Sequence, residues 1–310
     1  MEFLKKLFHN KKKTAIVLGG GGVRGVAHLG VLKFLEENNY NFDFIVGTSS
    51  GAAIGALYLL HKNLDEAYIK LSESFQNLGK YKNLKDVISK KSSFLIDIKR
   101  KLYMAKSMFQ LSLVEEKPIK EFFLELFDKD IQFNNLKKEL YAVATDLISG
   151  KDIVFNKGNL IKALMASSSI PAVFPPKKYK NYYLIDGGTT QKLPSKIAYA
   201  LGANKVIGID VGTPFINKNK YSNSADLIIR SEEIVSNILH DQNRQACSIL
   251  LNPVFNQVKW HEFERYQECF DTGYLEAIKH AKDIKRFFKS KIYFNKKKNI
   301  NPQKQTFILE

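Results

Sequence analysis

Cysteine is almost missing: Cys247 and Cys269 are the whole complement of this 310-residue chain. Two thiols without metal-like or redox-like spacing exclude a disulfide framework and predict a reduced, cytoplasmic protein. No stretch reaches the roughly 18 apolar residues that a spanning helix requires, which argues against a transmembrane segment. Met1–Lys13 sets lysines on both sides of a very short apolar core and lacks the cleavage site of a secretory signal. Acidic residues are also short, 31 against 48 basic ones, for a formal net charge of +17. Arginine is scarcer still: Arg24, Arg100, Arg230, Arg244, Arg265 and Arg286 are all there are. Bidentate phosphate recognition favours arginine over lysine, so this charge reads equally as compositional bias or as attraction to anionic surfaces. Nucleic acid is not the expected partner, because aromatic-plus-basic readout motifs and zinc spacing are missing.

What is present is ordinary globular composition, with 45% hydrophobic and 25% charged residues. Thr14–Leu18 is a short β-favouring run ending in Gly19–Gly22, and a helical stripe of Val26, Leu29, Leu32 and Leu35 follows. Phe42–Val46 is a second strand, broken by Gly47, and Ala52–Leu60 reads as a buried helix. The alternation returns with strands at Leu140–Thr145, Tyr182–Ile185 and Lys205–Val211, and helices at Leu160–Ala166 and Ser195–Leu201. This rhythm predicts an α/β fold with a mainly parallel central sheet flanked by helices. Lys62–Glu139 differs, with lysine-rich helical patterns at Leu64–Phe75, Lys99–Met108 and Val114–Phe127, and is expected to be a helical insertion or lid. The expected organisation is a basic amphipathic segment (1–13), a catalytic domain (14–211) holding the insertion (62–139), a C-terminal helical completion (212–288) and a basic tail (289–310). The completion carries a helix at Ser231–Leu239, a strand at Ser248–Leu251 and a helix through Phe270–Phe288. Whether the tail frays or forms a late strand is open.

The strongest chemical signal is Gly47-Thr48-Ser49-Ser50-Gly51, a G-x-S-x-G pattern between a strand and a small-residue helix. A nucleophile on such a sharp turn is strained, and Cβ atoms two positions either side would crowd it. The turn also sets Ser49 at a helix N-terminus, where amides and the helix dipole favour negative charge. Gly20-Gly21-Gly22-Val23-Arg24-Gly25 is a second signal, a loop whose amides can face an anion. It also matches a dinucleotide fingerprint, which calls for an acidic residue about 20 positions on, at the end of the next strand. Asp43 lies at the start of that strand and the Ser49 turn occupies its end, so an oxyanion hole fits better. The third signal is Asp186-Gly187-Gly188, directly after a strand. A carboxylate at the carboxyl end of a parallel strand would face the same edge of the sheet as Ser49.

These three elements, in this order, resemble the patatin-like phospholipase family. Ala166–Pro176, Thr145-Asp146-Leu147 and Leu201-Gly202-Ala203 extend the likeness across roughly Thr14–Val211, and it is faint around Val254–Ala281. The resemblance implies a three-layer fold and a lipid acyl hydrolase with Ser49 as nucleophile and Asp186 as base. Gly20, Gly21 and Gly22, with Arg24 nearby, would form the oxyanion hole, and Gly25, Gly47, Gly51, Gly187 and Gly188 would be motif positions. It implies no metal or cofactor, and a lipid or other ester as substrate. The sequence departs from the family at one place: where relatives often have asparagine after the aspartate motif, this chain has Gln191 and Lys192. An aspartate near pKa 3.9 is a poor base at neutral pH, so the site would have to raise it by burial.

Two other readings stand beside this one. His240, His261 or His280 could complete a Ser-His-Asp triad by chain order, and His28 reads as a packing residue. A non-enzymatic basic protein on an anionic membrane is the alternative from another class. Phe3, Leu4, Leu7 and Phe8 on one helical face, with Lys5 and Lys6 beside them, suit peripheral contact at an inner membrane face.

Overall fold

The computed structural model describes residues 12–77, 111–112, 115–217, 219–290 and 305–308. The expected amphipathic stripe at Met1–Phe8 and helix at Lys99–Met108 lie outside these residues.

A nine-stranded sheet forms the centre of the described chain. Its middle strands are β1 (Lys13–Leu18), β2 (Phe44–Thr48), β3 (Glu139–Asp146), β7 (Ala203–Ile209) and β8 (Ile249–Leu251). β3, β2, β1, β7 and β8 lie side by side in that order and all run parallel. Alternation along them has both faces apolar. Ile16, Leu18, Ile45, Leu140 and Ala142 enter one hydrophobic cluster, while Ala15, Val17, Phe44, Val46, Tyr141 and Val143 enter another. A sheet apolar on both faces needs cover on both, which gives three layers. α1 (Ala27–Glu37), α2 (Ser50–Leu60) and α8 (Tyr266–Lys279) supply residues to the first cluster, and α6 (Ser195–Ala200) supplies Ile197, Ala198 and Tyr199 to the second. Each aliphatic side chain so buried contributes about 1.5–3 kcal/mol.

Some strands were not legible as such. β4 (Asp152–Phe155) and β5 (Lys177–Tyr179) are short segments that the alternation did not single out. β4 pairs antiparallel with β3 and parallel with β9 (Gln305–Ile308), so the C-terminal segment expected as a tail contributes a strand. The long helix α7 runs over Ser224–Ala246, well beyond the expected Ser231–Leu239, and the expected Phe270–Phe288 helix is divided into α8 and α9 (Ala281–Lys289). From the insertion, α3 (Leu64–Asn77) and α4 (Glu116–Leu126) are seen, and α5 (Leu160–Ser167) follows β4. Among the described residues no helix is long and apolar enough to cross a membrane.

The strand leading to Asp186 corrects the expected reason for its position. β6 (Tyr182–Asp186) runs antiparallel to β3. β2 pairs with β3 as far as Thr48 opposite Val143, and β6 pairs with it from Asp186 opposite Ala144. β4 pairs with Ala142–Thr145 of β3 and overlaps both registers, so β2 and β6 must share the other edge. The two strands therefore meet end to end at adjacent positions along β3. Ser49 and the Asp186 carboxylate come together because two strand ends collide there, not because both strands run parallel.

Candidate active site

Ser49 sits where β2 breaks into α2, at φ 53° and ψ −123°. That is a sparsely populated region for a residue with a Cβ, and such strain persists only when the surroundings over-determine it. The flanking glycines show how. A Cβ on Gly51 would lie 2.2 Å from the Leu18 carbonyl oxygen, and one on Gly47 would lie 2.6 Å from the Ala52 backbone. The Ser49 amide donates to Ser167 Oγ at 2.9 Å, and that hydroxyl donates to the Val143 carbonyl at 2.6 Å. Two residues on, the Ser169 carbonyl accepts the Asp186 amide at 2.9 Å. The serine-rich turn thus braces the backbone of both Ser49 and Asp186, a role that only the family likeness of Ala166–Pro176 hinted at.

Asp186 is buried, 6% exposed. Its carboxylate accepts the Gly188 amide at 2.6 Å, and the Ser49 side chain is near enough to favour its charged form. Burial pushes its pKa up from 3.8 to about 6, against the lowering effect of those two groups. Desolvation prevails because the opposing groups are few and no cation contributes. Gly187 packs tightly, since a Cβ there would meet the Val143 carbonyl at 2.3 Å.

The glycine loop departs from the expected oxyanion hole at Gly20 and Arg24. The Gly20 amide is committed to the Lys192 carbonyl at 2.9 Å, and the Gly21 amide donates to Ser50 Oγ at 3.0 Å. Gly22, at φ 62°, is the glycine of this run that lines the cavity with Ser49 and Ser50. Arg24 is buried under the loop, where its Nε donates to the Gly21 carbonyl at 3.3 Å. It braces the turn from behind, and burial lowers its pKa despite the charges of Cys269 and Asp210. Gly25 packs against Ser50.

None of the described histidine contacts reaches Ser49. His28 Nε2 donates to the Gly19 carbonyl at 2.8 Å, and burial drops its pKa to about 4. His240 is bonded to Asp210, His280 pairs with Glu276, and His261 stacks edge-on against Trp260. The sequence did not signal the Asp210–His240 pair, whose members are 30 residues apart.

Ser49 opens onto an apolar cavity of about 120 Å³. Ile54 and Leu57 of α2, Leu71 and Phe75 of α3, and Ile119, Phe122 and Phe123 of α4 form much of its wall, with Phe174 and Trp260. Helices α3 and α4 of the insertion therefore wall the chamber onto which Ser49 opens.

Comparison with known proteins shows the family. The patatin-like phospholipase family model matches residues 16–199, more than half of the chain, and the chain belongs to that family. Patatin-like phospholipase domain-containing protein 6 of Homo sapiens is 27% identical over 294 residues, covering 84% of this chain and 20% of the relative. Neuropathy target esterase sws of Drosophila melanogaster is 26% identical over 290 residues, covering 84% and 19%. The chain thus spans about a fifth of the length of these curated relatives. Among solved structures, VipD from Legionella pneumophila aligns with a TM-score of 0.46 at 13% identity, covering 88% of this chain and 67% of VipD.

Proposed function

We propose that this chain is a serine acyl hydrolase that cleaves carboxylic esters of lipids through a Ser49–Asp186 dyad. One observation carries the reading. A strained serine at the mouth of an apolar chamber stands beside a buried, cation-free carboxylate with pKa about 6. At pH 7.5 such a carboxylate is ionised and basic enough to take the Ser49 proton as Oγ attacks an ester carbonyl. The Gly22 loop and the N-terminus of α2 lie beside Ser49 and would hold the oxyanion, while the chamber takes the acyl chain. Asp186 passes that proton to the leaving alcohol as the ester C–O bond breaks, then takes a proton from the water that attacks the acyl-enzyme and returns it to Ser49 as the carboxylic acid departs. The words phospholipase and esterase in the names of the relatives fit this chemistry.

The test is turnover of a short-chain chromogenic ester and a fluorescent phospholipid by wild type, Ser49→Ala and Asp186→Asn. Wild type should cleave at least one, and each variant should lose about a hundredfold or more, as expected when a nucleophile or its base is removed. Full activity in Ser49→Ala would end the proposal. Loss at His240→Gln with Asp186→Asn still active would favour a histidine triad.

A further inference from the structure

The residue pair that departs from the family pattern, Gln191-Lys192, leads to a second cavity. Lys192 carries the Gly20 loop on its carbonyl and sends its side chain to the carboxyl end of β7. There it lines this second cavity of about 280 Å³, where Thr213, Arg230, Ser236 and His240 share the wall with the apolar Pro214, Phe215 and Ile216. It shares no lining residue with the chamber of Ser49, Gly22 and Trp260.

Two polar groups in this cavity lack partners. Among the described residues, Lys192 Nζ takes part in no hydrogen bond and no ion pair. His240 is 5% exposed, with Nε2 held by Asp210 Oδ2 at 2.9 Å, while Nδ1 is buried without a partner. An unsatisfied buried polar atom costs about 1–3 kcal/mol and calls for an explanation. The charge around them is net positive. Glu233 lines the cavity too, but it is bonded to Arg230 Nη1 at 2.9 Å. Behind the wall, Arg244 Nε lies 3.3 Å from Asp210, and burial lowers the pKa of the Lys192 ammonium, opposed by the charge of Asp210 and reinforced by Arg24 and Arg244. Three of the chain's scarce arginines, Arg24, Arg230 and Arg244, thus gather around Lys192.

We infer that this cavity binds a phosphate monoester group, with the Lys192 ammonium on its anionic oxygens and the His240 Nδ1 nitrogen accepting its P–OH proton. A monoanionic phosphate supplies both a negative charge and a donor, which is what this pair lacks. Thr213 and Ser236 offer hydroxyls to the remaining oxygens. The group could arrive on a lipid whose acyl chain enters the Ser49 chamber, which rests on the acyl-hydrolase reading, or as free phosphate.

Binding, not turnover, separates these ideas. Isothermal titration of the Ser49→Ala protein, which leaves bound esters intact, compares 1-hexanoylglycerol 3-phosphate, 1-hexanoylglycerol and inorganic phosphate. The phosphorylated lipid should bind about tenfold or more tightly than the glyceride, and inorganic phosphate should compete with it. Adding Lys192→Met should remove that advantage and leave glyceride binding within about twofold, while Lys192→Arg should keep most of it. Phosphate binding that depends on Lys192 but is not displaced by the phosphorylated lipid would assign the cavity to free phosphate. Equal affinity for both lipids with no phosphate binding overturns the inference, as does equal weakening of both by Lys192→Met in a protein that melts normally. None of these readouts requires Ser49 to act as a nucleophile, so failure here and failure of the hydrolase reading are distinguishable.

Discussion

The ends of β6 and β7 are built alike and titrate in opposite directions. In each, a buried aspartate closes a turn by accepting the amide two residues on: Gly188 to Asp186 at 2.6 Å, and Gly212 to Asp210 at 2.9 Å. Burial pushes both carboxyls upward. At Asp210 that push is outweighed by the hydrogen bonds from His240 and the Gly212 amide and by the charge of Arg244, and the pKa falls below its ordinary value. At Asp186 only Ser49 and Gly188 oppose burial, and the pKa rises to about 6. The same turn holds a carboxyl below or above its ordinary pKa, and the difference is the pair of partners, His240 and Arg244, supplied from α7.

The largest expected effect is a split in stability between Asp186→Asn and Asp210→Asn. Unfolded Asp186 ionises near 3.8 and folded Asp186 near 6. Between those values the folded chain binds more protons, so this group's contribution to stability falls as pH rises through the window. A shift of that size is roughly 3 kcal/mol at the upper end. Asp186→Asn should therefore be inactive yet more stable than wild type by roughly 1–3 kcal/mol at pH 7.5, with the gain gone by about pH 4. Asp210 behaves oppositely. Its depressed pKa contributes stability above the unfolded value that is lost as pH falls through the folded one. Asp210→Asn leaves His240 and Arg244 without their anion and should lose about 3 kcal/mol or more at pH 7.5. Urea melts at both pH values read the difference; equal destabilisation by both variants would break the comparison.

The acid limb of catalysis is the next test. With Asp186 as the base, kcat/KM for a neutral ester should fall about tenfold per pH unit below a midpoint near 6, as a single required carboxylate predicts. The ester itself does not titrate, so the limb belongs to the enzyme. A midpoint near 4 would mean that Asp186 is solvated in solution or is not the base.

How much of this was legible in the sequence divides along the same line. The Ser49 turn could be read because its glycines are a steric requirement within five residues, and Gly47 and Gly51 do sit hard against Ala52 and Leu18. Asp186 could be found by its place after a strand, but the direction of that strand could not, because period-two alternation carries no information on register or on parallel against antiparallel pairing. The brief β4 and β5 gave too few alternations to register as strands. The Gly20 amide looked available because four glycines in a row do not reveal that a carbonyl from Lys192 arrives to occupy it. The Asp210–His240 contact was invisible for the same reason: β7 and α7 meet only in the folded chain, and neither residue carries a local motif. Chemistry set by local sterics was readable; chemistry set by partners distant in sequence was not.

The smallest effect asks which partner controls Asp210. Arg244 approaches Oδ2 at 3.3 Å but its side chain is 33% exposed, so water screens much of its charge, whereas His240 bonds the same oxygen at 2.9 Å with 6% exposure. Arg244→Met should therefore cost about 1 kcal/mol or less at pH 7.5, a fraction of the loss in Asp210→Asn. His240→Gln should stand between them, since glutamine can still donate to the carboxylate but fills the imidazole's buried place less well. If Arg244→Met proved as damaging as Asp210→Asn, the guanidinium would be the group that separates the two strand ends. A cation placed from the surface could then suffice to turn a basic Asp186 into a silent one.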